Sequence, residues 1–189
     1  GAVRVDLLLG IAYQNLGATA VLTVDGGAGA DRLVARGTAG SDSLGVAATS
    51  GAVTLTSSLG THLAIQTASV ANLTLDGLEG DDVFSVGAAL PYATVKVQGG
   101  GPGGSDTLSL AGIAGVGEAF RVVPGVIAGD GIVFVDAVAH SYTGIEHILL
   151  EGQIGDADTM RIDDDGRDNV WDVGAGSLGD LVQIAGRES

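Results

Sequence analysis

Glycine recurs so closely along this chain that the longest run without one is Thr61 to Asp76, and most runs end within a dozen residues. Each glycine inside a helix costs about 1 kcal/mol, so ordinary helices do not fit between them. Short strands do. Apolar alternation, the mark of a half-buried strand, recurs at Leu22-x-Val24, Leu33-x-Ala35, Val53-x-Leu55, Leu63-x-Ile65, Leu73-x-Leu75 and Phe84-x-Val86. It continues at Val95-x-Val97, Leu108-x-Leu110, Ile132-x-Phe134, Ile148-x-Leu150 and Met160-x-Ile162. The one segment whose spacing also suits a helix is Ala64 to Ala71. With 33 glycines in 189 residues but no three-residue period, collagen is excluded, and 46% hydrophobic residues exclude an acidic disordered tail. The chain reads as a single β-repeat domain, 1–189, or one block of a longer array. There is no Cys, so disulfides and thiol chemistry are excluded.

The same phrase is written several times. Leu22 to Leu33 aligns with Leu73 to Phe84 at an offset of 51 residues, and Gly1-Ala2-Val3 and Leu9-Gly10 match Gly51-Ala52-Val53 and Leu59-Gly60 at 50. Ile148 to Met160 is a third copy with one residue added, and Val95 to Leu110 a fourth, lengthened by Gly-Pro. Internal repeats therefore run over roughly 1–50, 51–124 (expanded) and 125–189. Each copy reads as strand, glycine-acid turn, strand, with glycines expected at positive φ and an acid just before the second strand. Units that bury one face against the next predict an all-β repeat fold, a β-solenoid-like stack of short strands and Gly-Asp turns. The alternative is a two-sheet β-sandwich.

The turns Asp25 to Asp31 and Asp76 to Asp82 share Asp-Gly-x-x-Gly-x-Asp, and residues 26–34, Gly-Gly-Ala-Gly-Ala-Asp-Arg-Leu-Val, follow Gly-Gly-x-Gly-x-Asp-x-apolar-x throughout. This pattern resembles the Gly-Asp-rich calcium-binding repeats of repeats-in-toxin proteins, in the degenerate form found in large bacterial extracellular surface proteins. The resemblance implies calcium, held by turn carbonyls and carboxylates. It makes Asp31, Asp42, Asp82, Asp106, Asp158 and Asp168 carboxylate candidates, with Asp25 and Asp76 as a second arm. Tyr142-Thr-Gly-Ile-Glu146 resembles the phrase that opens strands in the same surface repeats. The spacing departs from tandem nonapeptides, because successive candidate acids are separated by 11, 40, 24, 52 and 10 residues. The densest acidic stretch is Asp163-Asp164-Asp165-Gly166-Arg167-Asp168, which a divalent cation would relieve or which Arg161 and Arg167 would neutralise as a solvated turn.

A formal charge of -15, with Lys96 the one lysine, argues against nucleic acid, whose binding needs cations to replace its counterions. No uncharged stretch is apolar for long enough to span a membrane as a helix: residues 43–75 are rich in Ser and Thr, and Gln14, Asn15 and glycines interrupt Leu7 to Val24. The start is a poor fit to a signal peptide and reads as that of a processed piece. Gly99 to Gly104 matches Gly-x-Gly-x-x-Gly, but a strand pattern follows where a dinucleotide site needs a helix. His62, His140 and His147 are dispersed, and no nucleophile, base and orienting group share a recognisable constellation. The expectation is a non-enzymatic, extracellular or cell-surface structural module, stabilised by calcium. Its expected partners are head-to-tail copies of itself, building a filament, surface layer or adhesin stalk, and extracellular polysaccharide. Val46 to Ser50 leads into Gly51-Ala52-Val53 much as Ile184 to Ser189 would lead into a following Gly1-Ala2-Val3. The alternative function is a carbohydrate-active β-helix enzyme or a glycan-binding module.

Overall fold

Glycine-punctuated runs leave room for strands of three to seven residues, and that is what forms. A computed structural model describes residues 2–4, 10–12, 19–58, 60, 62–101, 105–153, 156–163, 171–173 and 182–186. The strands are β1 (Ala2–Arg4), β2 (Gly10–Ala12), β3 (Val21–Asp25), β4 (Arg32–Arg36), β5 (Asp42–Val46) and β6 (Val53–Ser57). They continue with β7 (His62–Ala68), β8 (Asn72–Leu78), β9 (Val83–Gly87), β10 (Thr94–Gly100), β11 (Thr107–Ala111) and β12 (Ala119–Pro124). The last are β13 (Gly131–Val135), β14 (Val138–Thr143), β15 (His147–Glu151), β16 (Thr159–Ile162), β17 (Trp171–Val173) and β18 (Val182–Gly186). Of Ala64 to Ala71, the segment whose spacing also suits a helix, Ala64 to Ala68 lies in β7, with β3 and β6 paired on either side, and Ser69 to Ala71 form the bend that follows.

The fold is all-β in two mixed, unclosed sheets, so the two-sheet alternative fits. One has seven strands in the order β16-β12-β13-β14-β10-β8-β4, the other nine in the order β17-β18-β15-β11-β9-β5-β6-β7-β3. Among the described residues β1 and β2 pair only with each other. From β7 to β11 the chain changes sheet at every turn, and the strands it lays down pair in parallel: β8 with β10, β9 with β11. Where the antiparallel runs β5-β6-β7 and β12-β13-β14 are inserted, the return to the next parallel neighbour lengthens. Ser43 thus pairs with Val83 and Thr107 with His147, across an inserted run, while Val83 pairs with Thr107 directly.

The sequence repeat and the structural spacing are different things. Leu22 to Leu33 runs from the nine-stranded sheet to the seven-stranded one, whereas its aligned copy Leu73 to Phe84 runs the other way. The 51-residue offset therefore aligns corners of opposite direction. A corner needs the same glycine and acid whichever way it turns, which is why the copies look alike.

The core lies between the sheets, with Leu44, Phe84 and Leu108 of the nine-stranded sheet and Leu75, Val97 and Val133 of the seven-stranded sheet all fully buried. All eleven alternating segments fall in strands, but in β13 the wrong face was read from the pattern. Val133 and Val135 point inward, while Ile132 is exposed and Phe134 lies under the Arg121 guanidinium, 5.4 Å from the ring centre. Gly-Ile-Val-Phe-Val is apolar at both parities, so only pairing with β12 and β14 fixes which parity is buried.

Candidate metal centre

The corners are built around a glycine and an acid. A Cβ on Gly37 would overlap the Asp42 carboxylate, and the same holds for Gly77 with Asp82, Gly99 with Asp106, Gly112 with Glu118 and Gly152 with Asp158. None of these five glycines has positive φ. Their role is the missing side chain, which lets a carboxylate sit over the backbone. The positive φ expected of turn glycines occurs instead at Gly27, Gly29 and Gly80, and Leu78 adopts it as well.

Once seated, the acids serve two ends, and Asp158 serves both at once. Three of them close their own corner: Asp42 accepts the Thr38 amide, Glu118 the Ile113 amide at 2.8 Å and Asp158 the Gln153 amide at 3.1 Å. Asp82, Asp106 and Glu146 reach the neighbouring corner. The Asp42 amide donates to Asp82 Oδ1 (2.7 Å), the Asp82 amide to Asp106 Oδ1 (2.8 Å) and the Asp106 amide to Glu146 Oε2 (2.8 Å). Asp42 opens β5, and the other three immediately precede β9, β11 and β15; these strands are successive neighbours in the nine-stranded sheet. The separations of 40, 24 and 40 residues are those of the parallel registers, so spacing that looked irregular in sequence is what stacks them. Burial pushes Asp82 up to about 6, against the Asp42 amide that holds it down, and the charges of Asp106, Asp42 and Asp81 add to the rise. Burial, then the charge of Glu146, also raises Asp106.

A second, shorter row lies before β12 and β16 in the seven-stranded sheet, where the Glu118 amide donates to Asp158 Oδ1 at 2.8 Å. Asp156 joins it, and the three carboxylates offer ligand oxygens within 4.8 Å of one another. This is the one acidic cluster among the described residues that can hold a metal ion. Burial raises Glu118, with the charges of Asp158 and Asp156 adding to it, while the Glu118 amide holds Asp158 below the usual carboxylate range.

Of the candidates read from sequence, Asp42, Asp82 and Asp106 share the long row, and Asp158 alone belongs to the metal-competent cluster. Asp31 stands before β4, and its carbonyl accepts the amides of Ala71 and Asn72 at the next corner, which offers no carboxylate. Asp25 and Asp76 join neither row: Asp25 Oδ1 accepts the Gly27 amide at 3.0 Å, and Asp76 pairs with Arg36 at 2.9 Å. Asp163 is held by Arg121 and Arg161. Asp168 lies outside the described residues, as do Asp164 and Asp165. The sequence reading passed over Glu118 and Glu146. Gly144-Ile-Glu146 is the Gly-x-acid signal with Glu in place of Asp, and the phrase from Tyr142 that contains it supplies the last acid of the long row. Glu118 follows Gly112 at the interval at which Asp158 follows Gly152, a signal that becomes legible once the glycine is known to seat the acid. Comparison with protein-family models, with curated proteins and with solved structures finds no match.

Proposed function

We propose that the chain is a non-catalytic structural module of an extracellular or cell-surface assembly, stabilised by calcium and joined end to end with copies of itself. The observation that carries this reading is the outer strand of each sheet, which has no further neighbour among the described residues. Among the described residues the outermost strands at one end are the consecutive β3 and β4, and at the other β16 and β17. Both sheets can be continued there by further strands, and a head-to-tail contact of this kind propagates instead of closing. Parallel returns at 24 or 40 residues support the finer reading of a two-sided β-solenoid lengthened by inserted strands. Among the described residues the acids of the two rows accept backbone amides and join no ion pair, which favours architecture over polysaccharide cleavage. Calcium is the cation that an all-oxygen site selects in such a setting.

Val21 is half exposed on β3, and a charge on an edge strand blocks further pairing. The purified chain is expected to grow with concentration in light scattering and to form filaments under negative stain, with Val21→Lys remaining monomeric. A wild-type chain that stays monomeric at high concentration with calcium present overturns the reading.

A further inference from the structure

The corner at the edge of the seven-stranded sheet carries more negative charge than its hydrogen bonds absorb. Glu118 immediately precedes β12, and Asp156 and Asp158 lead into β16, the outermost strand, which pairs with β12 from Ala119↔Thr159 to Val122↔Ile162. Backbone amides reach Glu118 Oε1, both oxygens of Asp158 and Asp156 Oδ2, the last from Gly115 at 3.0 Å. Glu118 Oε2 and Asp156 Oδ1 are buried and accept nothing, and Glu118 as a whole is 2% exposed. The ion pairs among the described residues lie elsewhere, at Asp76 and Asp163.

A buried carboxylate oxygen without a donor costs free energy that a native structure recovers from a proton or a cation. Three carboxylates from adjacent corners, with no nitrogen or sulfur ligand among them, suit a hard divalent cation. The long row does not make such a site: Asp82, Asp106 and Glu146 each accept one neighbouring amide in single file, and although Asp82 Oδ2 is also buried without a donor, no three of the row's acids converge.

We propose that Glu118, Asp156 and Asp158 form a divalent-cation site that clasps the edge strand β16 to β12. The choice of calcium rests on the extracellular reading above; the site rests on its own geometry. The far end of β16 is already tied to β12, since Asp163 takes the Arg121 guanidinium and its amide donates to the Val122 carbonyl at 2.9 Å. The near end holds like charges that repel, and a bound cation turns that repulsion into attraction. Metal therefore completes this end of the sheet.

The test is calorimetric titration of the full chain with calcium, on wild type, Glu118→Gln and the long-row control Asp106→Asn, alongside hydrogen exchange of β16. One calcium per chain is expected for wild type and for Asp106→Asn, with affinity reduced about tenfold or more in Glu118→Gln as a charged ligand is lost. Calcium should slow exchange at Thr159 to Ile162 in wild type and not in Glu118→Gln. Because glutamine keeps the acceptor for Ile113 and removes a buried charge, Glu118→Gln should melt in chelator no lower than wild type. No binding by wild type at millimolar calcium, unchanged affinity in Glu118→Gln, or equal protection of β16 in calcium and chelator overturns the site. Filaments scored on the same samples separate the two readings: assembly without calcium binding removes the site and leaves the module, and binding without assembly does the reverse.

Discussion

A missing methyl group is what each corner is made from. At Gly77 a Cβ would meet the Asp82 carboxylate and the Gly99 carbonyl together, and neither can withdraw, because Asp82 Oδ1 is fixed by the Asp42 amide. Gly77→Ala should therefore cost about 1–3 kcal/mol, the usual range for overpacking a tight site. Gly101→Ala, where nothing lies within 4 Å and φ is unexceptional, should change stability by less than about 0.5 kcal/mol. Urea midpoints for the two variants check the contrast, and equal effects would mean that the glycine serves backbone freedom and not the seating of the acid. Much of this was readable beforehand. Gly-x-Asp marks a corner wherever it occurs among the described residues, yet the glycine that does the work lies five residues before Asp42 and Asp82, outside that motif.

Strands form wherever a glycine-free run alternates, but which face a strand buries is settled by its neighbours. β13 is the clearest instance: Val133 is fully buried between Val122 of β12 and His140 of β14, whereas Ile132 is 36% exposed. Val133→Ala should destabilise by about 1–3 kcal/mol and Ile132→Ala by clearly less, although isoleucine loses more carbon on truncation. Thermal melts of the pair decide it, and the opposite order would reverse the strand's facing. β5 and β14 gave weak signals for related reasons. The inward row of β5 opens on an acid, Asp42, ahead of Leu44 and Val46, and β14 buries His140 and Tyr142 where a pattern of aliphatic residues would have been sought.

Among the described residues His140 and Asp82 respond to pH in opposite senses, and Asp106 and Glu118, also raised by burial, side with Asp82. Burial lowers His140 to about 4, so its neutral form suits the fold. It supports stability fully above its unfolded value near 6.5 and loses that support as pH falls toward 4. Asp82, raised to about 6 from 3.8, does the opposite: its support is complete below 3.8 and is lost as pH rises through 6. The two responses offset one another between about pH 4 and 6.5. Asp82→Asn should therefore be more stable than wild type at pH 7.5, by about 2 kcal/mol once solvent screening at the corner is allowed for, with no advantage near pH 3.5. Relative to wild type, His140→Leu should gain stability as the solution is acidified from pH 6.5 to 4. Denaturant midpoints across this range test both signs, and parallel profiles for wild type and either variant would remove that group from the account.

What the sequence determined by itself is local. Closely spaced glycine forbids helices of ordinary length, alternation marks the strands, and an acid ahead of an apolar segment marks a corner; each follows from the conformational limits of a few adjacent residues. What only the tertiary structure decided is which corners meet. Asp42, Asp82, Asp106 and Glu146 form one row because parallel pairing returns the chain after 40, 24 and 40 residues, intervals set by strands inserted elsewhere. Glu118 finds Asp156 and Asp158 because β12 and β16 are neighbours, a meeting that the shared glycine-to-acid interval of the two corners does not by itself foretell. Register between strands is a non-local choice made by the shared core, and the convergence of carboxylates follows from register.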